Sequence, residues 1–219
     1  MNLILFIKFI FRILKYNFSS TKRYAYLLKA IYISKAKSIL EIGVYNGNRA
    51  KEMIETAKIF NKEIDYYGFD LFEDFYKKKN IIKKELSKKP LSKKKISKKL
   101  NNYNRVRLFK GDTKVTLPKF VKEKIKIDFA FIDGGHSFNT INSDWKNVNQ
   151  IITKNSTVIF DDFYEYSGKV KLDVGCNKII NSLPKKKYFS YIYPVADTFF
   201  DKYNKIYKNI FMVRVKKND

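Results

Sequence analysis

The chain has 219 residues, 45% hydrophobic and 16% aromatic, which excludes intrinsic disorder as its main state and suits one domain of ordinary size. A net charge of +25 comes from 46 Lys and Arg against 21 Asp and Glu, yet only six of the cations are Arg, the side chain whose planar fork suits phosphate and guanine. A solvated Lys surface, or a coding bias toward Lys, Asn and Ile, therefore explains the charge better than nucleic-acid binding, while the single Cys176 and single His136 exclude a disulfide framework and a multi-histidine metal site.

The first segment, MNLILFIKFIFRILKYNF (residues 1–18), spaces Lys8, Arg12 and Lys15 by four and three, on one face of a helix. Leu3, Leu5, Phe6, Phe9, Ile10, Ile13 and Leu14 cover most of the rest. Charge inside the apolar stretch, with no small-residue cleavage site after it, argues against a signal peptide. No apolar run reaches the roughly 18–20 residues that span a bilayer. Two readings stay open: a basic amphipathic helix on an anionic membrane surface, or a helix packed on the domain or on a second subunit of a homodimer. Either suits a cytoplasmic protein, at most peripheral to the inner face of a membrane. Ser19-Ser20-Thr21 offers N-cap chemistry for a second helix through Tyr26, Leu27 and Ile31, giving an N-terminal helical segment over 1–35 and a main domain over 36–219.

From residue 38 short apolar runs alternate with helical stripes. SILEI, IDYYGFD, RVRLF, IDFAFID and STVIFDD read as strands. RAKEMIETAKIF, VTLPKFVKEK, SFNTINSDWKNVNQII and VGCNKIINSL read as the helices between and after them. YFSYIYP and NIFMVRVKK close the chain as two strands without a helix between them. The expectation is an α/β fold, a doubly wound, seven-stranded, mostly parallel sheet with an antiparallel last strand at its edge. Between the second and third strands lies Lys77 to Lys99, 12 Lys in 23 residues with one acid, Glu85, read as a solvent-exposed loop or lid.

In such sheets ligands bind beyond the carboxyl ends of the strands. Five strand ends here carry acids: Glu41, Asp70, Asp112 (between Gly111 and Thr113), Asp133 (before Gly134-Gly135-His136), and the pair Asp161-Asp162. The turn Glu41-x-Gly43-x-x-x-Gly47 allows close backbone approach to a ligand but is not Gly-x-Gly-x-x-Gly, and its carboxylate suits a cationic ligand better than a pyrophosphate. Asp70 is placed to accept hydrogen bonds from ribose hydroxyls. His136, beside the acids, suits proton transfer near neutrality. Asp144 reads as structural or helix-face charge, Trp145 as core, and Cys176 as a small buried residue.

SILEIGVYNGNRA, YYGFDLFEDF, LFKGDT, FIDGGHSFNTINSDW and VIFDDFYEY, in this order and spacing over roughly residues 36 to 217, resemble the class I S-adenosylmethionine-dependent methyltransferases. The last two look most like the small O-methyltransferases with Asp-Gly-x-His after strand four, which include enzymes acting on sugar hydroxyls. The resemblance implies that Glu41, Gly43 and Gly47 line the methionine portion of S-adenosylmethionine, that Asp70 holds its ribose, and that Asp112 and Thr113 flank its adenine. It also implies a divalent ion on Asp133, Asp161 and Asp162; oxygen-only ligands favour Mg²⁺ or Mn²⁺. The ion would bind the hydroxyl of a sugar or small-molecule acceptor, with His136 or Asp133 taking its proton. Two further readings are an RNA-binding or RNA-modifying methyltransferase, drawn from the Lys-rich stretch, and a non-catalytic membrane-associated scaffold. The acids speak against the latter.

Overall fold

Five short apolar runs assemble side by side in a computed structural model that describes residues 1–77, 88–169, 174–201 and 205–218. β1 (Ser38–Ile42), β2 (Asp65–Asp70), β3 (Val106–Lys110), β4 (Ile127–Ile132) and β5 (Ile152–Tyr166) run parallel to one another. With β6 (Tyr188–Ile192) and β8 (Ile206–Lys217) added, the sheet order is β3-β2-β1-β4-β5-β8-β6, so the winding reverses between β1 and β4 and leaves a crevice at their carboxyl ends.

Successive residues of each strand face opposite sides, and each side has its own helices. Ile39, Tyr66, Phe129, Phe131 and Ile159 pack against α1 (Leu3–Asn17), α2 (Tyr24–Ser34) and α3 (Asn48–Ala57). Leu40, Phe69, Ile132, Val158 and Phe160 pack against α5 (Thr113–Val121), α6 (Phe138–Ile151) and α7 (Asn177–Ser182). Each fully buried Phe or Leu contributes roughly 1.5–3 kcal/mol. Trp145 and Cys176 lie in this second core, and Asp144 is buried beside Gly134. Among the described residues, no helix is long and apolar enough to cross a membrane.

Four features depart from the sequence reading. Among the described residues the sheet has eight strands: β7 (Asp197–Asp201) is short and bounded by acids, and it pairs with β8 (Ile206–Lys217). β8 is antiparallel but not at the edge; Met212, Val213 and Val215 are fully buried, so it sits between β5 and β6 (Tyr188–Ile192). Ser19 and Thr21 do not cap α2. The Ser19 hydroxyl donates to the Tyr16 carbonyl (3.0 Å) and accepts from the Thr21 N–H (3.1 Å), closing the turn between α1 and α2. Lys93–Lys99 of the Lys-rich stretch forms α4 rather than a loop, capped by Ser92 and anchored by Ile96 and Leu100 one turn apart in the core. Residues 78–87 of that stretch, with Glu85, lie outside the described residues.

Candidate active site

A cavity of about 590 Å³ opens at the carboxyl ends of β1, β2, β4 and β5. That volume is within the ~300–1,000 Å³ of small-molecule sites. Its floor is the turn after β1. Gly43 has φ +94°, and a Cβ there would lie 2.0 Å from the Asp133 carbonyl oxygen, so only glycine lets the turns after β1 and β4 come this close.

On one side stands Asp70. Its carboxylate accepts from the Tyr45 N–H (2.7 Å) and the Phe72 N–H (3.0 Å), which fixes it at the cavity wall with lone pairs to spare. Burial raises its pKa, opposed by these same backbone donors. Asp112 and Thr113 line the wall beyond it; the Asp112 side chain accepts from the Lys114 N–H (3.0 Å) as the N-cap of α5. Leu71 and Phe75 add apolar surface.

On the other side the strand geometry is broken. The β5–β8 register shifts between Phe160 and Phe163, and Asp162 has φ +62°: a bulge that re-aims two successive acids. Asp162 turns to the His136 Nδ1 (2.6 Å), with the Tyr164 hydroxyl 3.3 Å from that nitrogen. The segment after residue 173 locks the pair. Gly175 donates to the His136 carbonyl (2.7 Å) and Cys176 to the Asp162 carbonyl (3.0 Å). A Cβ on Gly175 would stand 2.5 Å from that Asp162 carbonyl. Burial alone would lower the His136 pKa, but the hydrogen bond and charge of Asp162 raise it. Asp162 shifts the opposite way: burial opposes ionisation, and His136 overcomes it. Asp133, also at the cavity, is pushed well above the carboxylate range by burial and then by the charges of Asp161 and Asp162.

Asp161 does not itself line the cavity; it is covered by Arg23 and Tyr24, which do. Both its oxygens accept from Arg23 (Nε 2.7 Å, Nη2 2.8 Å), and Tyr24 adds a hydroxyl at 3.3 Å. The same guanidinium bonds Asp197 on β7 through Nη1, and the Arg23 N–H bonds its other oxygen at 3.1 Å. Both carboxylate side chains are fully buried.

The structure thus brings Gly43, Asp70, Asp112, Thr113, Asp133, His136 and Asp162 to one cavity and leaves out three expected residues. Glu41 is the first. β1 is buried on both faces, so its side chain lies in the core under α3, bonded to the Tyr66 hydroxyl. Burial pushes it up to about 8, partly offset by that bond, so it is mostly neutral at pH 7 and supplies no counter-charge to a ligand. Gly47, the N-cap of α3, packs against Ile96 rather than lining the cavity. Asp161 is the third, and with it the metal set. A divalent ion does not fit the donors found here: Arg23 occupies both oxygens of Asp161, and His136 occupies Asp162. Among the described residues, no three His, Cys, Asp or Glu side chains are grouped to hold a metal.

Sequence reasoning missed Arg23, Tyr164 and Lys208. Lys208 lines the cavity over the Tyr164 ring at 3.7 Å. Tyr164 had a signal, two residues after Asp162 and hence on the same strand face. Lys208 had none, since only the β5–β8 register brings it there.

The methyltransferase domain family matches residues 40–163, more than half of the chain. The uncharacterized protein R132 of Acanthamoeba polyphaga mimivirus is 23% identical over 180 residues, covering 78% of this chain and 72% of the viral one. Among solved structures, the fold is similar to an rRNA methylase from Streptococcus thermophilus (14% identity, TM-score 0.59, 89% of this chain and 96% of that one). It is equally similar to the O-methyltransferase TomG of Streptomyces achromogenes, solved with SAM (14%, 0.59, 89% and 81%).

Proposed function

The chain belongs to the methyltransferase domain family, and from that premise we propose that it methylates a hydroxyl of a sugar or small metabolite, with S-adenosylmethionine as donor. When bound, the donor supplies an electrophilic sulfonium methyl that passes to the acceptor oxygen. Asp70 would accept from its ribose hydroxyls, with Asp112, Thr113, Leu71 and Phe75 around its adenine. The glycine turn at Gly43 would let its methionine portion lie against the backbone.

The observation that carries the O-methyltransferase reading is the His136–Asp162 pair in the same cavity as Asp70. Nδ1–H donates to Asp162, which leaves Nε2 to accept the acceptor hydroxyl's proton as the oxygen is methylated. Asp162 orients the ring and stabilises the imidazolium that forms. Asp133, pushed well above the carboxylate range by burial and by the charges of Asp161 and Asp162, favours its protonated form and would donate a hydrogen bond to the acceptor. Tyr164 and Lys208 border the acceptor side. No step passes through a divalent ion, because Arg23 and His136 already neutralise Asp161 and Asp162.

RNA is the weaker acceptor. Arg12, Arg23, Arg49, Arg105 and Arg107 are all ion-paired with carboxylates, which leaves few guanidinium forks for phosphate. The test is transfer of labelled methyl from S-adenosylmethionine to a panel of hydroxylated sugars and small metabolites, with RNA as the competing acceptor, with and without chelator. Label on a hydroxyl that withstands chelator is expected. Label only on RNA, or only when divalent ion is present, would overturn the reading.

A further inference from the structure

Helix α1 has two apolar faces, and the protein covers one of them. Phe9 and Tyr16 are buried; Phe9 stacks on Tyr32 with ring centroids 4.8 Å apart. Arg12 also turns inward, to Glu55, and leaves the cationic face that the sequence shares among Lys8, Arg12 and Lys15. The opposite face leaves Ile4, Ile7, Ile10, Phe11, Leu14 and the C-cap residue Phe18 exposed, Phe11 by 68% and Phe18 by 89%. At about 100° per residue these six fall within an arc of roughly 120°. Exposed Lys8 and Lys15 border that arc on one side. Residues 1–40 contain eight Lys and Arg and no acid; the first is Glu41.

We propose that this face of α1 lies on an anionic lipid surface, its apolar side chains in the boundary between headgroups and acyl chains and Lys8 and Lys15 on the phosphates. Length and charge select lipid over a second copy of the chain. Fifteen helical residues span about 22 Å. Six exposed apolar side chains are far fewer than the roughly 20–30 residues a side of a stable interface. Two copies meeting there would also oppose like charges, whereas an anionic bilayer rewards them. A basic flank beside an apolar arc is the pattern of a helix lying in the plane of the interface.

Flotation of the full chain with phosphatidylcholine vesicles, without and with roughly 30% phosphatidylserine, tests this. Binding to the anionic vesicles, weakened by salt and much lower on the neutral ones, is expected. The double variant Ile7→Asp/Phe11→Asp should abolish it with an unchanged melting temperature, because both side chains are exposed. Lys8→Ala/Lys15→Ala should lower the partition roughly 30-fold, at about fivefold per cation. Failure of the wild type to float would overturn the proposal. So would flotation unchanged in Ile7→Asp/Phe11→Asp, which would place binding in lysines elsewhere. Sedimentation equilibrium showing a dimer that this variant dissolves would assign the face to a second copy instead.

Discussion

Replacing Arg23 by Met keeps the length and apolar stem of the side chain and removes its charge. The guanidinium holds two carboxylates, Asp161 and Asp197, whose side chains are fully buried, and its own side chain is only 9% exposed. Removing one partner of such a cluster leaves uncompensated charge in a low dielectric, which costs roughly 3–5 kcal/mol. For a chain of this size that lowers the melting temperature by about 6–20 °C. The loss should shrink toward acid. Burial already raises the Asp197 pKa against the pull of Arg23, and losing that counter-charge raises it further, so the variant gains relative stability as Asp197 protonates and loses it as pH rises through the folded value. Urea unfolding at several pH values reads the effect, and melting with and without Mg²⁺ adds a second readout. Wild type should melt alike in Mg²⁺ and in chelator, while Arg23→Met, with its acids freed, should recover part of its loss when Mg²⁺ is added. A loss below about 1 kcal/mol, or saturable stabilisation of the wild type by Mg²⁺, would refute the assignment of Arg23 as the internal counter-ion of this cluster.

His136→Ala should lower turnover roughly 10²–10⁴-fold with cofactor affinity nearly unchanged, measured by single-turnover kinetics and calorimetry. Because only the neutral ring accepts a proton and Asp162 raises its pKa, the wild-type rate should climb with pH to a midpoint above the ordinary histidine value of about 6.5. Asp162→Asn should move that midpoint to lower pH. The pair links stability to pH as well. The His136 contribution, with a raised folded pKa, is full below about 6.5 and is lost as pH rises through the folded value. The Asp162 contribution, with a lowered one, is present above about 3.9 and is lost as pH falls, so denaturant midpoints should be highest between the two. Gly43→Ala, forced against the Asp133 carbonyl at φ +94°, should destabilise the fold by at least about 1–2 kcal/mol and weaken S-adenosylmethionine binding.

The parallel half of the fold was legible because each strand ends on an acid or glycine and each helix carries a clear stripe, as in SILEI followed by the Ala50, Met53, Ile54 and Ala57 face. Cavity residues at strand ends were legible for the same reason. β7 was not, since TFF between two Asp has little strand signal until β8 lies beside it. Glu41 misled because a strand-end acid reads alike whether it faces a ligand or the core. Asp161 misled because a bulge, which leaves no local mark in VIFDDFYEY, decides where each acid points. Arg23, some 138 positions away from Asp161 in sequence, could not be matched to it without the fold.

S-adenosylmethionine titrated by calorimetry into the wild type and into Asp70→Ala tests the cofactor site directly. Saturable binding by the wild type is expected, weakened in the variant by roughly 10–150-fold, the worth of hydrogen bonds to a charged carboxylate. No binding by the wild type, or equal affinity in the two proteins, would contradict the placement of the donor at the carboxyl ends of β1 and β2.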